Sequence, residues 1–329
     1  MPKRGIEHII KGIYREREAV RMIYNTILDA VGNTPLIRLN HIGGGSDAEI
    51  LVKFEAVNVG ASIKTRTALG MIEAAEKEGK ITKDTVIVEP TSGNQGIGLA
   101  LVSAVKGYRA IIIMPDSVSE ERRKLICQYG AEVKLVHDEG DIGQCIRTCM
   151  ETAEKMKREN KNVFVPQQFE NDNNVRVHYE QTGKEILRQA EKKIDGFCSG
   201  IGTGGTITGI GKALKEANPD ILIWAVEPEK AAVLSGYEVK SHLQMGIGDG
   251  IIPEILDRNI YDDIMIVTDE EAIRQAKELA RKEGLLCGIS GGTNVVAARR
   301  LAQKLGKGKT VVTILPDTAE RYFSTPLFM

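Results

Sequence analysis

The sequence predicts an α/β protein built as two three-layer αβα units with mostly parallel, twisted sheets. Two observations predict it. From Ile27 onward, short β-branched apolar runs alternate with longer amphipathic ones, which is the pattern of parallel strands covered by helices on both faces. The chain is also 329 residues long, enough for two such units, and one polar stretch at 160–174 (NKNVFVPQQFENDNN) carries a proline and interrupts the alternation.

Taken in order, the first strand is 50–54 (ILVKF), followed by a helical pattern at 66–78. Strand 86–89 (VIVE) hands over to helix 96–105, strand 109–114 to helix 119–129, and strand 132–136 to helix 142–158. After the polar stretch come helix 179–190, strand 196–199, helix 206–218 and strand 222–226. Helices 270–283 and 293–305 and strand 310–314 complete the series. The interruption divides the chain into a smaller unit, 58–165, and a larger one made of 25–57 plus 166–329. Residues 1–24 are charged and helix-prone, with Ile6, Ile9, Ile10 and Ile13 on one stripe. They are expected to form an arm packed on the body or on a second subunit.

Composition narrows the function. The net charge is −1, so neither nucleic acid nor an anionic membrane is called for, and a small-molecule partner is expected. No apolar stretch approaches a membrane span. The cysteines at 127, 145, 149, 198 and 287 are odd in number and form no C-x-x-C. Free thiols in a reducing cytoplasm, and no metal site, are expected.

Open parallel sheets bind ligands beyond the carboxyl ends of their strands, so the turns there carry the chemistry. The run 86–100 (VIVEPTSGNQGIGLA) joins a strand to a helix through Thr91-Ser92-Gly93-Asn94. Backbone amides, the helix dipole, two hydroxyls and a carboxamide converge there, an anion corner suited to a carboxylate. In 58–66 (NVGASIKTR) Lys64 stands near a helix start, where the dipole depresses an amine toward the form a Schiff-base nucleophile needs. Gly200-Ile201-Gly202-Thr203-Gly204-Gly205-Thr206 opens a helix directly after a strand. It lacks the Gly-Lys-Ser/Thr ending of a P-loop and the dinucleotide spacing, so a monophosphate is the better guest. Ser290, in Gly288-Ile289-Ser290-Gly291-Gly292, opens a further helix and offers a hydroxyl to a ring nitrogen.

Together these motifs resemble the cysteine synthase and cystathionine β-synthase family of pyridoxal-phosphate enzymes. Gly32-Asn33-Thr34-Pro35-Leu36, Gln168-Phe169, Val226-Glu227-Pro228, Gly246-Ile247-Gly248 and Leu315-Pro316-Asp317 add to the likeness, in order, over roughly residues 25–325. The resemblance implies the fold-type II architecture, similar to tryptophan synthase β, with 58–165 mobile and the larger unit binding the cofactor. It implies that Lys64 holds pyridoxal 5'-phosphate and moves the Cα proton. Asn94 would bond the ring oxygen, Gly202, Thr203, Gly204, Gly205 and Thr206 the phosphate, and Ser290 the ring nitrogen. Thr91, Ser92, Gly93, Gln95 and Gln168 would bind the substrate carboxylate. The implied activity is β-replacement or β-elimination on a β-substituted L-alanine through an aminoacrylate: O-acetylserine or O-phosphoserine plus sulfide giving cysteine. A cytoplasmic homodimer is implied as well.

Four positions depart from the family pattern. Ala61 and Thr65 replace the usual residues of the lysine loop, Gln95 replaces the usual threonine, and Asp249 stands where a small residue is common. A carboxylate at 249 suits a general base acting on water or a thiol. That opens a second reading, a lyase that releases sulfide from cysteine and adds water or a second cysteine, forming serine or lanthionine. A reading of another class is a catalytically silent amino-acid sensor, against which Lys64 speaks. A serine or threonine dehydratase is a further variant.

Overall fold

The computed structural model describes residues 23–43, 47–91 and 93–329. The expected arm, apart from Ile23 and Tyr24, and the expected carboxylate ligand Ser92 lie outside them. A capping box at Thr26 and Asp29 starts a 3-10 turn, Ile27–Ala30. Strands β1 (Leu36–Arg38) and β2 (Glu49–Phe54) follow.

Helix α1 (Lys64–Lys77) leads to β3 (Val86–Pro90), α2 (Asn94–Lys106), β4 (Arg109–Pro115), α3 (Glu120–Gln128), β5 (Glu132–Val136), α4 (Ile142–Glu159) and β6 (Val163–Phe164). The four strands β5-β4-β3-β6 form one parallel sheet. Alternation places successive side chains on opposite faces. Ile87 and Ile112 meet Ile72 of α1, Leu101 of α2 and Ile126 of α3, with Leu28 from the chain's start joining this core. Val86, Val88 and Ile113 meet Cys149 and Ala153 of α4.

Beyond the polar stretch lie α5 (Asp172–Val177), a π turn (His178–Gly183) and α6 (Lys184–Ala190). Then come β7 (Gly196–Gly200), α7 (Gly205–Ala217), β8 (Leu222–Pro228), β9 (Asp263–Val267), α8 (Asp269–Glu278), α9 (Ile289–Leu305) and β10 (Thr310–Leu315). The second sheet runs β1-β2-β10-β7-β8-β9, with β1 antiparallel and the rest parallel. Val52, Val226 and Val311 face Ala276 of α8 and Leu301 of α9. Phe197, Ile223 and Val312 face Ile186 of α6 and Leu214 of α7.

Strands β1, β6 and β9 were not expected: β1 and β6 are too short for periodicity, and β9 lies at the sheet edge. The helix expected at 179–190 is continuous, its first part a π turn that runs directly into α6. There Gly183 passes so close to α7 that a Cβ on it would lie 2.7 Å from Ala213 Cβ. All five cysteines are free thiols. Among the described residues, no helix is long and apolar enough to cross a membrane, and no cluster of His, Cys, Asp or Glu could hold a metal ion.

Candidate active site

The turns after β3 and β7, the start of α1, the start of α9 and the loop 246–250 surround one cleft between the two sheets. Lys64, Thr91, Asn94, Gln95, Gln168, Gly202, Thr203, Gly204, Thr206, Asp249 and Ser290 all line it. Gly93 and Gly205 are chain neighbours of lining residues. Gly93 has φ +141, and a Cβ on it would meet Arg122 Cδ at 2.3 Å.

Lys64 is the first residue of α1. Its Nζ lies 3.4 Å from Thr203 Oγ1. Burial lowers its pKa to about 8, while the charges of Asp249 and Glu89 pull it back up. The expected direction is met, but burial, not the helix end, is the first cause. Two residues on, Arg66 is fused into a buried network with Glu55 and Glu185, which also takes Lys53. These ion pairs fix the register of α1 and so where Lys64 emerges.

The glycines of the segment Gly202–Thr206 are bare by necessity. A Cβ on Gly202 would lie 2.5 Å from Gly246 O, one on Gly204 2.8 Å from Leu256 Cβ, and one on Gly205 2.2 Å from Asn174 Oδ1. Its amides open α7, a helix of 13 residues whose positive end faces the cleft.

On the opposite wall, Thr91 Oγ1 accepts from Gly93 N at 3.1 Å. Glu89, just upstream, is buried and accepts from Gln167 N at 3.0 Å and Gln168 N at 2.9 Å, which anchors Gln168. Burial pushes the Glu89 carboxyl up to about 8 despite those two bonds. Asn94 Nδ2 donates to Asp317 Oδ2 at 2.7 Å, and its Oδ1 accepts from Arg321. The carboxamide is thus held from behind with one amide proton to spare. Thr67 Oγ1 donates to Gln95 Oε1 at 2.6 Å, whereas Gln95 Nε2 is buried without a partner among the described residues.

Asp249 is 8% exposed, and no described residue hydrogen-bonds its carboxylate. Burial raises its pKa, with Lys64, His242 and Arg122 opposing. Its loop is clamped: Gly248 N donates to Ile201 O at 2.8 Å, and His242 Nε2 lies 2.9 Å from Gly248 O. Gly246, Gly248 and Gly250 all have positive φ, so the turn needs glycine on both sides of the carboxylate. Ser290, 3% exposed, sits in the first turn of α9.

Sequence reasoning missed Glu89, Asn174, His178 and Arg122. Only Glu89 had a local signal, its place in the Glu-Pro-Thr-Ser-Gly-Asn run.

A lysine with a depressed pKa, a glycine-floored anion cradle and a carboxylate corner on an α/β frame define an enzyme that holds a phosphorylated aldehyde. The chain belongs to the pyridoxal-phosphate dependent enzymes, whose family pattern matches residues 27–317. It is a member of the cysteine synthase branch. A cysteine synthase of Staphylococcus aureus (strain Mu50) is 47% identical over 305 residues, 92% of this chain and 97% of that protein. A hydrogen sulfide-producing enzyme from Fusobacterium nucleatum is 44% identical with a TM-score of 0.86, covering 91% of this chain and 100% of that one. An aspartate-to-asparagine mutant of another hydrogen sulfide-producing enzyme, complexed with an alpha-aminoacrylate intermediate, is 37% identical with a TM-score of 0.84. That match covers 91% of this chain and 90% of the mutant's. The fold-type II architecture, the cofactor class and the β-substitution or carbon–sulfur lyase chemistry expected from the motifs agree with these likenesses.

Proposed function

We propose that this enzyme consumes L-cysteine or a related β-thio-substituted L-alanine, releasing sulfide or a thiol and adding water or a second thiol, with Asp249 as general base. The observation that carries the direction is the Asp249 carboxylate, buried in the cleft beside Lys64 with no hydrogen-bond donor among the described residues. Water or a thiol must lose a proton as it adds, and a carboxylate of raised proton affinity takes it. Hydrosulfide arrives already ionised, and a carboxylate on its path repels it. The likeness to hydrogen sulfide-producing enzymes supports the same direction. Synthesis of cysteine from O-acetylserine or O-phosphoserine is the second reading, supported by the likeness to curated cysteine synthases.

The residues fit the cofactor. The cradle amides open a helix at the cleft, its three glycines sit where protein leaves no room for a β-carbon, and Lys64 offers an amine that is readily deprotonated. In this reading Gly202–Thr206 hold the phosphate, Asn94 the ring oxygen and Ser290 the ring nitrogen. Thr91, Ser92, Gly93, Gln95 and Gln168 hold the substrate carboxylate. Bound pyridoxal phosphate supplies an electron sink for charge developing at Cα, and a neutral serine at its ring nitrogen keeps that sink modest. Lys64 takes the Cα proton, and the Cβ–S bond breaks with its electron pair leaving on sulfur. Asp249 then accepts a proton from the incoming water or thiol as the new bond to Cβ forms, and Lys64 returns the proton to Cα. Asp249 then gives its proton, through solvent, to the departing hydrosulfide, so with water the balance is cysteine plus water giving serine plus hydrogen sulfide.

Closure of unit 58–165 over the larger unit would exclude solvent. The packing of Gly143, in the smaller unit, against Gly250, next to Asp249 in the larger, supports this. Assembly as a homodimer in the cytoplasm belongs to the same proposal.

The test is to supply cysteine alone, and separately O-acetylserine with sulfide, while measuring sulfide and amino-acid products. Asp249→Asn is expected to release sulfide once per active site yet slow steady turnover by about 10²–10⁴-fold, the usual span of a lost general base. Lys64→Ala is expected to release none. Unchanged steady turnover of Asp249→Asn with both water and thiol rejects the role.

A further inference from the structure

Both hydroxyls of the cradle are approached from behind by groups on a single segment, residues 172–183. Asn174 is fully buried, and its Nδ2 donates to Gln168 O and to Thr203 Oγ1, each at 2.9 Å. A main-chain carbonyl only accepts, so the amide nitrogen is the atom that faces both partners, and Thr203 receives its hydrogen. The proton of Thr203 is thereby left to point into the cleft.

One turn later His178, also fully buried, makes the matching approach to the second hydroxyl. Its Nε2 lies 3.3 Å from Thr206 Oγ1, and its Nδ1 3.0 Å from Thr182 Oγ1. The π turn carries the ring there, and π insertions recur at functional sites. The crossing is close enough that a Cβ on Gly209 would lie 2.7 Å from His178 Cβ. Burial first, then the charges of Lys64 and Arg66, hold the ring's pKa well below the ordinary histidine value. A neutral ring has one donating and one accepting nitrogen. Among the described residues, the only cationic side chains lining the cleft are Lys64 and Arg122. A phosphate in the cradle therefore depends heavily on neutral donors aimed at it.

We propose that Asn174 and His178 are positioning residues for the cofactor phosphate. Thr182 donates to His178 Nδ1, Nε2–H donates to Thr206 Oγ1, and both cradle hydroxyls turn their protons toward the anion. The opposite tautomer has Thr206 donate to the ring and face the anion with lone pairs alone. The inference rests on the reading of Gly202–Thr206 as the phosphate site.

Thr182→Val keeps the shape of the side chain and removes the hydroxyl. Apoenzyme is titrated with pyridoxal phosphate and with pyridoxal, which lacks the phosphate, and the two Kd values are read by absorbance and fluorescence. Loss of a hydrogen bond directed at a charged group raises the Kd for pyridoxal phosphate about tenfold and leaves that for pyridoxal within about twofold. Thr182→Ser, which retains the hydroxyl, keeps the wild-type ratio. The double variant Thr182→Val/Thr206→Val binds no more weakly than Thr206→Val alone, because the two act in series. An equal loss for both ligands, or full additivity, overturns the relay. A Thr206→Val variant that leaves the ratio untouched overturns the phosphate reading itself. A Thr206→Val that shifts the ratio beside a Thr182→Val that does not overturns the relay alone.

Discussion

At the Gly202–Thr206 end of the cleft, each bare α-carbon of the cradle is closely packed and each hydroxyl has a partner. At the Thr91–Gln95 end, Gln95 Nε2 has no hydrogen-bond partner among the described residues, and neither has the Asp249 carboxylate on the loop packed against Gly202. A buried polar group left unpaired costs about 1–3 kcal/mol, so such groups persist where something else supplies the missing bond. At the cradle end the hydroxyls are held from behind by protein, although Asn174 Oδ1 there is itself buried without a partner among the described residues. In the proposed reading the other end keeps its donor for a guest that comes and goes. It is also where this chain leaves its family's pattern, at Gln95.

The comparison breaks most severely if the packed end is forced open. Gly205→Ala would set a Cβ 2.2 Å from Asn174 Oδ1. The Asn174 amide must turn, giving up its bonds to Gln168 O and Thr203. Overpacking of this kind costs about 1–3 kcal/mol of stability. The variant is expected to melt earlier and to bind pyridoxal phosphate more weakly, read as a raised Kd in a titration of the apoenzyme. Unaltered cofactor affinity would mean that the packing behind the cradle has no part in holding its geometry.

The site's contiguous parts were legible in the sequence, and its supports were not. Lys64, Thr91–Gln95, Gly202–Thr206 and Ser290 stand in turns whose glycines and strand-to-helix placement mark them, because a backbone anion site is made by neighbours in sequence. Asn174 and His178 act on residues 29 and 28 positions away, and Glu89 on Gln168 at 79, so no local pattern announces them. The π turn is hidden for the same reason. It depends on how closely Gly183 and Gly209 let one helix cross another, and the 3.6-residue periodicity of 179–190 carries no trace of that contact. The strand β6 exists only through its pairing to β3 at Val86 and Ile87. For Lys64, local reasoning reached the right direction of its pKa by way of the helix end, because the burial that dominates is made by parts of the chain distant in sequence.

The reactive form of Lys64 gives an intermediate effect. Its folded pKa is lowered, to about 8, so the neutral amine grows as pH rises toward that value and is nearly complete above it. The rate at which apoenzyme captures pyridoxal phosphate is therefore expected to climb about tenfold per pH unit below the pKa and to level beyond it. Stopped-flow absorbance across the range measures this. A rate still climbing at an ordinary lysine pKa would mean that the cleft does not desolvate the amine.

The smallest expected effect concerns the unfinished end and sharpens the contrast best. Thr67 Oγ1 lies 2.6 Å from Gln95 Oε1 and 2.9 Å from Lys64 O. Lys64 O is positioned to accept the backbone bond of α1, so the hydroxyl proton is best used by the shorter contact, which leaves Nε2 of the cleft-lining Gln95 as an unused donor. A substrate carboxylate can take that donor. Gln95→Thr restores the residue usual in the family but cannot span the same distance. Losing one hydrogen bond to a charged group predicts about a tenfold fall in kcat/KM for cysteine, mostly through KM, with cofactor affinity unchanged. O-acetylserine, if it is a poorer substrate of the parent, should lose less, so the preference between the two narrows. An equal loss for both substrates would make Gln95 a general carboxylate ligand with no part in choosing between them. A loss of cofactor affinity instead would show that the two ends of the cleft are not independent, because Thr67 joins Gln95 to the main chain of Lys64.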